Sequence, residues 1–100
     1  MIPLMNISEF EQAWKKQPGK ILDVRTPGEY GAGHLEGAVN IDWLGGQMMS
    51  AFKDLDKNET YYLYCASGNR SNMAATFLKQ QGFERVYNIG GYTSVMHADI

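Results

Sequence analysis

The spacing of apolar positions changes along this chain, and the changes mark out alternating helices and strands. In SEFEQAWKK, Phe10, Ala13 and Trp14 recur at three and four residues, the stripe of one helical face. Ser8 followed by Glu11 has the form of a capping box at its start, and Pro18-Gly19 ends it. KILDV is then a short apolar run bounded by turn signals, the pattern of a buried strand. TPGEYGAGHLEG reads as a loop, with room for one helical turn from Pro27 to Gly31. AVNID is a second short strand. From Trp43 to Leu55, the positions of Leu44, Met48, Met49, Phe52 and Leu55 predict a helix whose start is weakened by Gly45-Gly46.

TYYLYC is the clearest strand. Its residues are apolar or aromatic without alternation, which suits a strand covered on both faces. Ser71 to Gln81 predicts a second clear helix, with Met73, Ala74, Phe77 and Leu78 as its buried stripe and Gly82 as its stop. RVYNI is a last short strand, and GGYTSVMHADI has room for one helical turn. Helix and strand signals in alternation imply an α/β fold with a largely parallel sheet. One hundred residues, without repeat or linker, are read as one domain, residues 1–100.

Composition narrows the function. With 44% hydrophobic and 20% charged residues the chain can build a modest core. A net charge of -2, with Lys15-Lys16 as the longest positive run, gives no field that would gather nucleic acid or an anionic membrane surface. No window approaches the roughly eighteen apolar residues of a membrane span. MIPLMNISEF carries no positive residue and no signal-type apolar core. The single cysteine excludes an internal disulfide and fits a reducing compartment, so a cytoplasmic location is expected. Cys65, His34 and His97 lack metal-ligand spacing, and the glycine pairs match no dinucleotide or phosphate loop. No metal or cofactor is expected.

The chemistry concentrates in YCASGNRS. A lone cysteine has a bland reading as a small buried hydrophobe. Here it closes a strand and precedes a helix, and in an open α/β sheet that end of the strands is where sites form. The connecting loop would aim backbone N–H groups at the sulfur, and the helix N-terminus adds partial positive charge. Both favour thiolate over thiol. Gly68 eases the tight loop, Arg70 brings a fixed positive charge, and Ser71 can cap the helix or donate its hydroxyl. Asp23, Arg25, Glu29 and His34 read as groups that pair with one another and with backbone to shape the loop after KILDV. That loop shares the sheet end of Cys65, which would place Arg25 at the pocket rim.

CASGNRS resembles the active-site signature of the rhodanese superfamily: a cysteine, four residues with glycine third, then arginine. LDVRTPGEYGAGHLEGAVNI resembles the superfamily's other signature, and GFERVYNIGG the segment before its last helix; the three stand in the expected order. The resemblance implies a rhodanese-like fold, a mainly parallel five-stranded sheet flanked by helices on both faces. It implies a sulfurtransferase in which the Cys65 thiolate holds a sulfane sulfur as a persulfide, with Ala66, Ser67, Gly68, Asn69, Arg70 and Ser71 as the substrate and anion loop. The implied partners are a small sulfur donor (thiosulfate or a low-molecular-weight persulfide) and a thiol or cyanide acceptor, with a protein sulfur acceptor as a further option. Members that use thiosulfate often carry basic residues directly after the cysteine, where this chain has Ala66 and Ser67, and the tryptophan common four residues after the double glycine is Val95. The alternatives are a small cysteine phosphatase or arsenate reductase, whose loops place arginine one position later, and a non-enzymatic sulfur carrier or interaction module.

Overall fold

The computed structural model describes residues 2–100. Four strands run parallel in the order β2-β1-β3-β4: β1 is Lys20–Asp23, β2 Val39–Asn40, β3 Thr60–Cys65 and β4 Arg85–Gly91. Between and around them lie α1 (Ile7–Lys16), α2 (Pro27–Gly31), α3 (Met48–Ala51), α4 (Asn69–Gln80) and α5 (Tyr92–Val95). The α/β architecture with a parallel sheet is the one the alternating pattern implied, and the helices on both faces are as the resemblance implied.

Every residue of β3 is buried, which explains why its sequence shows no polar alternation. Successive side chains still point to opposite faces. Tyr61, Leu63 and Cys65 enter a core with Leu22, Val24, Ala74, Leu78 and Met48, beneath α4 and α3. Tyr62 and Tyr64 enter a second core with Phe10, Ile21, Ile89 and Val95, beneath α1 and α5. Phe10, Trp14 and Tyr62 pack with ring centroids 5.1–6.0 Å apart, so the Phe10/Ala13/Trp14 stripe does face the sheet.

Several expectations need correction. Among the described residues the sheet has four strands rather than five. At the edge beyond β4, Leu4 makes a single parallel bridge to Asn88, and Met5 N–H donates to Asn88 O at 2.8 Å. Pro3 has no N–H to extend that pairing, so the segment stays a stub. The capping box of α1 is Asn6 with Glu9, at 2.8 and 2.9 Å, rather than Ser8 with Glu11. The predicted helix over 43–55 is broken. Asp42 accepts the Gly45 N–H at 3.0 Å and Gln47 accepts the Asp42 N–H at 2.9 Å, which holds a turn ahead of the short α3 and a 3-10 segment over Phe52–Asp54. Leu44, Met49 and Met73, assigned above to apolar helix faces, are exposed. Helix α4 starts at Asn69, two residues earlier than the spacing suggested, because Gly68 itself is the N-cap.

Candidate active site

Three local features bring the cysteine loop together. First, β3 ends on Cys65 and places it opposite Gly91 of β4. Second, the register between these strands slips after Leu63, which pairs with Asn88 while Tyr64 pairs with Gly90. The extra residue re-aims the end of β4 so that the Asn88 side chain faces the loop. Third, Gly68 takes φ 97°, a left-handed conformation that turns the chain directly into α4. A Cβ on Gly91 would stand 2.5 Å from Ala66 O, so the loop lies flat against glycine backbone. Gly91→Ala is therefore expected to cost about 1–3 kcal/mol of stability in urea denaturation and to slow Cys65 alkylation.

The Cys65 side chain is buried. Its Sγ accepts the Gly68 N–H at 3.0 Å and the Ser71 N–H at 3.4 Å, with Ser71 Oγ also at 3.4 Å. The Ser71 amide belongs to the first turn of α4, where N–H groups have no helical partner. Burial pushes the thiol pKa up. The Ser71 hydroxyl and the amides of Ser71, Ser67 and Gly68 pull it down, and together they win. Since the thiolate is the reactive form, its alkylation rate rises with pH through this pKa. The midpoint of that profile is expected below the roughly 8.5 of a free thiol.

The Ser71 hydroxyl has a second acceptor. Its Oγ lies 2.7 Å from Asn88 Oδ1, nearer than to sulfur. Asn88 Oδ1 also accepts the Gly90 N–H at 3.0 Å, and its Nδ2 donates to Gly68 O at 3.1 Å. One hydroxyl proton cannot serve both acceptors at once. It points to Asn88 beside a neutral thiol and can turn to sulfur when the thiolate forms. Asn88 is buried and grips both ends of the cradle. Sequence reasoning missed it because Asn in RVYNI looks like any polar residue near a strand end.

Arg70 does not stand alone. Its Nη1 and Nη2 donate to Glu29 Oε1 and Oε2 at 2.7 and 3.0 Å, a bidentate pair. Arg70 holds Glu29 down to about 2, with the Thr26 amide and hydroxyl contributing through the capping box of α2. Glu29 was expected to pair within its own loop; it caps that loop and also reaches 41 residues along the chain. Asp23 and Arg25 do pair with each other, with Nη2 to Oδ2 at 2.6 Å and Nε to Oδ1 at 3.0 Å. Tyr64 donates its hydroxyl to Asp23 Oδ2 at 2.8 Å, and the Arg25 guanidinium lies 4.4 Å from the Tyr92 ring centroid. His34 stacks on Tyr30, its Nδ1 2.9 Å from Tyr30 O.

Of the loop residues singled out from sequence, Ala66, Ser67 and Asn69 are exposed, Arg70 is half-buried, and Gly68 and Ser71 are buried around sulfur. Arg25 is buried rather than open at a rim, yet its charge is felt at Arg70, as is that of Cys65. A cleft of about 730 Å³ between Trp14, Leu35, Tyr92 and Met96 includes none of residues 65–71. Among the described residues no three His, Cys, Asp or Glu side chains converge as metal ligands.

The profile of the Rhodanese-like domain family matches residues 6–98. The chain belongs to that family. It is 35% identical over 74 residues to the thiosulfate sulfurtransferase PspE of Escherichia coli, a match covering 74% of this chain and 71% of that protein. It is 37% identical over 89 residues to a candidate sulfur carrier protein of Bacillus subtilis, YrkF, covering 88% of this chain. The match spans 47% of the Bacillus protein, about half its length. Among solved structures, a rhodanese-like domain protein from Staphylococcus aureus superposes with TM-score 0.78 at 26% identity, over 99% of this chain and 94% of that one. The human single-domain sulfurtransferase TSTD1 superposes with TM-score 0.82 over the full length of both chains, and at 18% identity it speaks for the fold.

Proposed function

We propose that this rhodanese-like domain is a sulfurtransferase with Cys65 as its nucleophile. The observation that carries the reading is the donor set around one sulfur: amides of Gly68 and Ser71, the Ser71 hydroxyl and the start of α4. The Cys65 thiolate attacks the outer sulfur of a sulfane donor. The donor's S–S bond breaks and its electron pair leaves with sulfite or with a thiolate. The cradle that stabilised the thiolate then stabilises the terminal persulfide anion. An acceptor, cyanide or a thiolate, takes the outer sulfur and returns Cys65 to thiolate. No cofactor takes part in this sequence. A reducing, cytoplasmic setting suits it, and no helix among the described residues is long and apolar enough to cross a membrane.

The relatives favour sulfur chemistry over phosphoryl transfer, since one is named a thiosulfate sulfurtransferase and another for sulfur carriage. The loop agrees: Arg70 comes five positions after Cys65, and Ser71 occupies the place where the phosphatase loops put arginine. A single-turnover assay tests the reading. Protein loaded with donor and freed of it by desalting is expected to release one equivalent of thiocyanate on adding cyanide. Release of none would overturn it. A carrier that hands its sulfur to a protein partner passes through the same loaded state.

A further inference from the structure

We infer that Glu29 acts as a charge filter at Cys65: by occupying Arg70 it turns the site away from doubly anionic sulfur donors and toward donors of low net charge. This rests on the sulfurtransferase reading for its natural substrates. Its physical content, discrimination by charge at the Cys65 thiolate, can be tested without that reading.

The argument is a local charge balance. Arg70 feels the charge of Cys65 and that of Arg25, and each of these two cations has a carboxylate of its own. Arg25 is bound by Asp23 through Nη2 to Oδ2 and Nε to Oδ1. Arg70 is bound by Glu29 through both terminal nitrogens. Glu29 cannot shed its charge near neutral pH, because the Arg70 fork and the Thr26 donors keep it ionised down to about 2. Among the described residues the Cys65 thiolate is hydrogen-bonded only by dipoles, the amides and hydroxyl of its cradle, and the Arg70 charge it feels is offset by Glu29. An approaching dianion such as thiosulfate meets the negative thiolate with no unmatched cation to offset it. Ala66 and Ser67 add no charge at the exposed lip of the loop. A donor whose own charges cancel pays no such penalty.

Glu29 holds Arg70 as a competitor does. A dianion that used Arg70 would have to displace a bidentate carboxylate already in place. The Glu29 side chain keeps 35% exposure and that of Arg70 17%. The pair is therefore reachable by solvent and responsive to salt. Glu29→Gln removes the charge and keeps the shape, and glutamine also serves in a capping box, so α2 is retained.

The experiment compares two alkylating agents of equal size and different charge, iodoacetate and iodoacetamide, on the reduced protein. The ratio of their rates is referred to the same ratio for free cysteine. In the wild-type protein the ratio is expected to disfavour iodoacetate more than it does for free cysteine, and to recover on going to about 0.5 M KCl, where charges are screened within a few Å. In Glu29→Gln the iodoacetate rate is expected to rise at least about fivefold relative to iodoacetamide, the scale of removing one unit charge at close range. Thiosulfate turnover relative to cysteine persulfide turnover should rise in the same variant. An unchanged alkylation ratio, or a fall in iodoacetate preference, would overturn the inference and make Glu29 an aligner of Arg70 for anions. Selective alkylation without any sulfur transfer would sink the sulfurtransferase reading and leave the filter standing.

Discussion

Cys65→Ser is expected to lower sulfur transfer at least about a thousandfold, because a serine hydroxyl can neither ionise in this cradle nor carry a persulfide. The fold should survive. Serine is slightly smaller, and its Oγ would meet the same donors that Sγ meets, the Gly68 and Ser71 amides. Thermal melting is expected to move by only a few degrees, as for a change of about 1 kcal/mol or less. Thiocyanate production by the variant within tenfold of the wild-type rate would remove Cys65 from the mechanism.

Asp23→Ala is expected to cost the most stability, about 3–5 kcal/mol in urea denaturation. Asp23 is fully buried and accepts from the Arg25 Nε, Nη2 and backbone N–H and from the Tyr64 hydroxyl. Its loss leaves the guanidinium of Arg25, a residue only 5% exposed, with Gly33 O as its hydrogen-bond partner among the described residues and with the rings of Tyr64 and Tyr92 above it. An uncompensated buried cation is far costlier than a missing surface contact. Against the 5–15 kcal/mol that holds a typical domain together, the loss is a large share. A cost under about 1 kcal/mol would mean that Asp23 does not anchor this network.

The core elements and the site differ in how far the sequence exposed them. TYYLYC and the stripe of Phe10, Ala13 and Trp14 were legible because burial on a strand or helix imposes a period. The cysteine loop was legible because a strand, a short glycine-containing turn and a helix follow one another directly. The 43–55 segment misled, since apolar residues at helical spacing do not reveal that Asp42 and Gln47 side chains compete for the backbone. The fifth strand came from resemblance, and a single bridge at Leu4 stands in its place. What stayed hidden is long-range pairing. Glu29 to Arg70 and Ser71 to Asn88 join residues 41 and 17 apart, and no local pattern specifies either. Thr26-x-x-Glu29 forms a capping box that the sequence reading passed over, and nothing in that spacing says that the same carboxylate reaches into the cysteine loop.

That Cys65 carries the transferred sulfur is tested most directly by intact-protein mass spectrometry with peptide mapping. Reduced protein is incubated with thiosulfate and, separately, with a low-molecular-weight persulfide. The account predicts the gain of one sulfur atom on Cys65, removed by cyanide and reached more readily with the persulfide. A Cys65 that alkylates readily yet gains no sulfur from either donor would contradict it.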